Sequence, residues 1–324
     1  MTRLNILAAC ALALAIFVPV VPTSAVADTV VSQLRVEANY EALDAGTNYS
    51  SANALVHSSE SPACDGNDQS KVKRATALGV LEYAGDVNER VDPVRAQGFA
   101  SQPGLFVCQI GAFTNDQSDF DPVWLYKVNH EEPSVGADQF ELDRGDEVLW
   151  YFADFASGVN TGRELTLNAP ARARPDEKVR VKVVSFDGDG DRKRPGGVGI
   201  VDAESGETVA ATNGDGRAKV RVDEGVTRLR AIKGDDIPSA PVDVCASDDS
   251  GDCPKRRGET FVGSDRDDEI DGTKGADDVR ARGGDDSVDV EGGERDEVDC
   301  GGGKDDVVAD RKDRVAGDCE DVKD

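Results

Sequence analysis

GTKGADDVRARGGDDSVDV, residues 272–290, sets paired aspartates near glycines and follows each pair with a valine, directly or after one residue. The pattern continues in both directions. Ile270, Val279, Val288, Val298, Val307 and Val315 lie 9, 9, 10, 9 and 8 residues apart. Asp268, Asp277, Asp286, Asp296, Asp305 and Asp313 each stand two positions before one of them. Glycine stands two positions before Asp277, Asp286 and Asp305, and three before Asp296. A fixed period of this kind marks a stacked repeat. Each unit reads as a glycine turn followed by a very short strand with one inward aliphatic. Two units make one coil of a parallel β-roll, so unit two stacks on four and unit three on five.

The chemistry of such a stack follows from its residue types. Glycine lets a turn aim backbone carbonyls into the gap between stacked turns. The aspartate adds a carboxylate to the same gap. An oxygen-only ligand set suits Ca²⁺, and the thiolates or imidazoles that suit zinc or copper are missing from the pattern. From residue 251 onward there are 25 acidic and 13 basic side chains. One aliphatic per unit buries little apolar surface, so a cation is expected to order the segment. The competing reading is a solvated acidic tail.

The last 60 or so residues resemble the RTX (haemolysin-type) nonapeptide repeat. The resemblance implies metal ligation by Asp268, Asp277, Asp286, Asp296 and Asp305, with Gly275 and Gly284 in the turns. It implies about two Ca²⁺ ions, up to four. Ala281, Val290, Cys300 and Ala309 replace the first glycine in later units, and Arg266 and Lys312 replace the fourth in the end units. The end units are expected to act as caps.

The N-terminus has one basic residue, Arg3, an apolar run broken by Pro19 and Pro22, and then Ala25-Val26-Ala27. This is the order of a secretory signal peptide cleaved after Ala27. No transmembrane segment is expected after cleavage, and the protein is expected to be extracellular or surface-associated. Cys10 leaves with the signal. Six cysteines remain and fall in local pairs: Cys64 with Cys108, Cys245 with Cys253, Cys300 with Cys319. The chain has 64 acidic and 37 basic residues, net −27, which disfavours nucleic acid and anionic membranes as partners.

Residues 28–157 read as strands, one helix near residues 75–84, and further strands at 123–128 and 147–152, an α+β sheet. Trp124, Tyr126, Val128, Asn129, Gly136, Ala137, Gly145, Asp146, Val148, Trp150 and Phe152 resemble the DUF4430 family, which is similar to the C-terminal β-grasp domain of transcobalamin and intrinsic factor. His130 stands where that family usually has glycine, in a turn where glycine reaches positive φ more easily. The vitamin carriers enclose their ligand with a separate helical domain, which has no counterpart here. The aromatics therefore read first as packing.

Residues 158–247 alternate like short strands, starting near 165, 178, 198, 218, 227 and 241, with turns at 213–216 and 233–236. They resemble a bacterial Ig-like β-sandwich. Asp187-Gly188-Asp189-Gly190-Asp191 opens like an EF-hand loop, but Arg192 and Val198 occupy the positions that need glycine and glutamate. Residues 248–258 read as a linker before repeats at 259–324.

The expected architecture is thus multidomain and mainly β. No nucleophile elbow, phosphate-cradling loop or HExxH helix occurs, and His57 and His130 read as surface or satisfied polar residues. The expected function is a non-enzymatic secreted or surface-associated calcium-binding protein. The alternatives are a corrinoid-like small-ligand capture protein using the β-grasp domain, and an adhesin or matrix component with an unidentified extracellular partner.

Overall fold

A computed structural model describes residues 29–59, 64–72, 75–99, 102–116, 121–249 and 251–323. The segment expected to be a signal peptide, with Cys10, lies outside the described residues. The chain is mainly β, with five sheets and one short helix among the described residues.

The first part contains β1 (Val30–Ala38), β2 (Glu41–Ser51), β3 (Ala54–Ser59), β4 (Asp68–Val72), α1 (Ala77–Val87), β5 (Val94–Phe99), β6 (Gln102–Ile110), β7 (Phe113–Thr114), β8 (Val123–Val128) and β9 (Glu147–Ala153). Helix α1 starts where Thr76, in extended conformation, caps it: Thr76 Oγ1 accepts from Gly79 N at 3.0 Å. It buries Ala77, Leu78, Val80, Leu81 and Ala84 in a core shared with both sheets of this part. Trp124, Trp150 and Phe152 belong to that core, and Tyr126 stacks on Trp150 at 5.2 Å. These aromatics are occupied in packing. Disulfide Cys64–Cys108 joins β6 to the segment before β4.

The second part contains β10 (Glu164–Asn168), β11 (Arg172–Ala173), β12 (Lys178–Phe186), β13 (Arg192–Lys193), β14 (Gly199–Asp202), β15 (Thr208–Ala211), β16 (Arg217–Arg221), β17 (Gly225–Ile232) and β18 (Val242–Ala246). Strands β10, β12, β13 and β16 form one sheet, and β11, β18, β17, β14 and β15 another. Alternate residues such as Val179, Val181 and Val183 from one, and Ile200, Leu229 and Val244 from the other, meet in one apolar cluster. The Asp187 carboxylate is engaged within this part: its Oδ2 lies 2.6 Å from Arg163 Nη1, and its Oδ1 accepts from Asp191 N.

His130 joins the first part to the second. It adopts φ +73°, the left-handed conformation that glycine takes most easily. Its ring stacks on Phe186 with centroids 3.8 Å apart, and its Nδ1 lies 3.0 Å from buried Glu164. Nearby, fully buried Glu37 pairs with Arg35 and Arg230. The non-glycine residue of the turn is therefore held by contacts across this seam.

The third part contains β19 (Arg257–Val262), β20 (Glu269–Asp271), β21 (Ala276–Arg280), β22 (Ser287–Asp289), β23 (Glu297–Asp299), β24 (Asp306–Val308), β25 (Arg314–Val315) and β26 (Asp321–Lys323). Every second strand pairs in parallel. Strands β20, β22, β24 and β26 make an all-parallel sheet, with Ile270, Val288, Val307 and Val322 in register. Strands β19, β21, β23 and β25 stack likewise, with Phe261, Val279, Val298 and Val315 in register.

That second stack does not stand alone. Strand β19 also pairs in parallel with β2, Phe261 against Asn48 and Val262 against Tyr49. One sheet of eight strands therefore runs from β25 through β19, β2, β1 and β9 to β8. The stretch read as a linker is anchored too: Arg257 donates to the carbonyls of Asp243, Ala169 and Pro170.

Candidate metal centre

The repeats bury more apolar surface than one aliphatic per unit. Ala281, Val290, Cys300 and Ala309, positions at which the repeat pattern has glycine, are buried together with Val279, Val288, Val298 and Val307. Each is two residues beyond its valine. In a strand, residues i and i+2 share a face, so both point inward. Val31 and Phe261 join this cluster from the side of the first part, and the Cys300–Cys319 disulfide joins it from the C-terminal side.

The aspartate two positions before each valine lies on the same inward face. Asp268, Asp277, Asp286, Asp296 and Asp305 are all buried, none more than 3% exposed. The backbone N–H of each donates to a carboxylate of the coil after it. In one row, Asp268 N donates to Asp286 Oδ1 at 2.8 Å, Asp286 N to Asp305 Oδ1 at 2.9 Å, and Asp305 N to Glu320 Oε2 at 3.0 Å. In the other, Glu259 N donates to Asp277 Oδ1 at 2.8 Å, Asp277 N to Asp296 Oδ1 at 2.8 Å, and Asp296 N to Asp313 Oδ1 at 3.0 Å. The carboxylates thus form two ladders that tie coil to coil. Sequence reasoning assigned these side chains to a cation and missed this second use. The 18- and 19-residue separations within each ladder carry the signal, because they are two repeat periods.

The second carboxylate oxygens divide the sites. Asp268 Oδ2 accepts from the backbone and hydroxyl of Ser264, and Asp277 Oδ2 from the backbone N–H of Thr273. The later units have Arg282, Gly292 and Gly301 in place of that Ser or Thr. Correspondingly, the Oδ2 atoms of Asp286, Asp296 and Asp305 are buried without a hydrogen-bond partner. Burial, with neighbouring aspartates of the same ladder, pushes the Asp286 carboxyl up to about 7 and that of Asp296 to about 6.

Gly275 and Gly284 serve the coil-to-coil contact. A Cβ on Gly275 would lie 1.8 Å from the Arg257 carbonyl oxygen. Gly284 adopts φ +112°, and a Cβ there would lie 2.1 Å from the Arg266 carbonyl carbon. Only glycine fits this spacing.

The unpartnered atoms of the ladders are carboxylate oxygens, a donor type that suits a hard cation. Among the described residues no three His, Cys, Asp or Glu side chains converge on one point. A cation here would draw its remaining ligands from backbone carbonyls and solvent. Each part of the chain carries one disulfide or borders on one, which fits an oxidising, extracellular-type environment. No described helix is long and apolar enough to cross a membrane.

No curated protein and no solved structure matches the chain. One family does match, over about a quarter of the length, from just before α1 to just after β9. Residues 75–154 match the model of a domain of unknown function, DUF4430.

Proposed function

We propose that this is a non-enzymatic, secreted or surface-associated protein whose C-terminal repeats form a calcium-stabilised β-roll. One observation carries the reading: Asp286, Asp296 and Asp305 each bury a carboxylate oxygen with no hydrogen-bond partner. A buried, unpaired carboxylate is costly, and a bound cation would remove that cost. Asp268 and Asp277 contribute less, because Ser264 and Thr273 already occupy their second oxygens. The ions are about two in number, one beside each ladder.

On this reading the first part is a β-grasp domain and the second an Ig-like sandwich that spaces and braces it. Both present the roll on an extracellular chain. The partner of the assembly is an extracellular or surface component.

Calorimetric titration of the chain from residue 28 onward with Ca²⁺ tests the proposal. Saturable binding at about two sites, reduced strongly in the Asp286→Ala/Asp296→Ala double variant, supports it. Absence of heat, or identical binding in that variant, refutes it.

A further inference from the structure

Two cavities adjoin at Glu82 on α1. The first encloses about 360 Å³ between α1, the connection from β2 to β3, and the opening turn of the repeats at residues 264–266. The second encloses about 200 Å³ beside His57, Asp65, Asp92 and Arg95. Glu82 and Asp86 line both.

Glu82 is 5% exposed. Its Oε1 accepts from the backbone N–H of His57 at 3.2 Å and lies 2.9 Å from His57 Nδ1. Its Oε2 is buried without a partner. Burial holds the Glu82 carboxyl above the usual carboxylate range, and partial desolvation at the cavity wall does the same for exposed Asp86. Such a group is stabilised by any ligand that brings it a donor and a positive charge.

The lining selects the ligand further. Glu82, Asp86, Asp265, Asp65 and Asp92 outnumber Arg266 and Arg95. The acids are spread along the two cavities, and among the described residues no three of them focus on one point as a metal site requires. Ala54, exposed Leu55 and the ring of Tyr83 supply apolar wall between the charges. A ligand with separated positive ends and a methylene chain matches this layout. We propose that the paired cavities bind a linear aliphatic diamine or polyamine, with one ammonium group on Glu82 Oε2 and another among the acids beyond it.

One wall of the first cavity is the opening turn of the repeats, so the test is run at one fixed, saturating calcium concentration. Putrescine is titrated into the full chain at physiological ionic strength. The expected isotherm is single-site, about tenfold weaker in Glu82→Gln and unchanged in Asp215→Asn, an exposed acid on the second part. A chain of net charge −27 attracts polyamines loosely everywhere. Weak multi-site binding lowered equally by both variants therefore overturns the proposal, as does no binding. Asp86→Asn guards against misfolding of the buried variant: Asp86 is exposed, and full affinity in that variant also overturns the proposal.

Discussion

The hydroxyl of Ser50, in β2, donates to Asp268 Oδ1. Everywhere else along that ladder the same carboxylate position accepts a backbone N–H from the coil before it. Ser50 thus stands in for a coil that does not exist, and β2 caps the repeat stack where β19 pairs with it. Repeat arrays need such a cap because their end units otherwise expose a bare interface. Replacing Ser50 by alanine leaves a buried carboxylate oxygen unpaired and should cost about 1–3 kcal/mol, felt first in the opening coil. Faster hydrogen exchange at the Ile270 amide, with the Val307 amide unchanged, is the expected result.

The two roles of Asp286 are separable. Asparagine keeps an oxygen for the Asp268 N–H but loses the charge, whereas alanine loses both. Asp286→Asn should weaken calcium binding while preserving, or raising, the thermal stability of the calcium-free chain. Asp286→Ala should lower both. Parallel melting curves with and without chelator distinguish these outcomes.

Coil spacing should be intolerant of a single methyl group. Gly275→Ala drives a Cβ into the Arg257 carbonyl, and overpacking of backbone against backbone costs roughly 3 kcal/mol. The loss should appear in the repeats and at β19, because Arg257 also fastens β19 to the second part. Limited proteolysis near residue 257 reads it.

The pH dependence has a definite sign. Asp286 and Asp296 titrate higher in the folded chain, at about 7 and about 6, than the ordinary 3.8 of the unfolded one. Between these limits the folded state holds more protons, so stability without calcium falls as pH rises. The His130 pKa is also raised: burial lowers it, but the Glu164 carboxylate beside it more than offsets this. Its contribution is present below about 6.5 and is lost as pH rises through the folded value, the same direction. The calcium-free chain should therefore melt at higher temperature near pH 5 than near pH 8. Asp286→Asn should flatten the profile, and His130→Gly should remove a smaller share while loosening the seam at Phe186.

Much of this was legible in the sequence because it is local. The valine period locates β20 to β25, and the alternating runs from 165 to 246 locate the longer strands of the second part. The three disulfides join the cysteines that lie together in sequence. Helix α1 extends three residues past the expected end, since its last turn is closed by the Asn88 N–H to the Ala84 carbonyl rather than by a composition break. What was not legible is long-range. No periodicity announces that β19 will pair with β2, some two hundred residues away, or that Ser50 will cap an aspartate ladder. Ala281, Val290, Cys300 and Ala309 read in sequence as missing glycines, because the repeat pattern specifies residue identity and not the face on which a side chain lies. His130 reads in sequence as an odd residue in a turn, since its partners Phe186 and Glu164 belong to another part of the chain.

The central claim is that calcium orders the repeats. Hydrogen exchange of the chain from residue 28 onward, with and without Ca²⁺ and with Mg²⁺ as control, tests it most directly. The account predicts strong calcium-specific protection of the Val279, Val288, Val298 and Val307 amides, with β12 and β17 unaffected. Equal protection of those four amides in chelator and in calcium would contradict it.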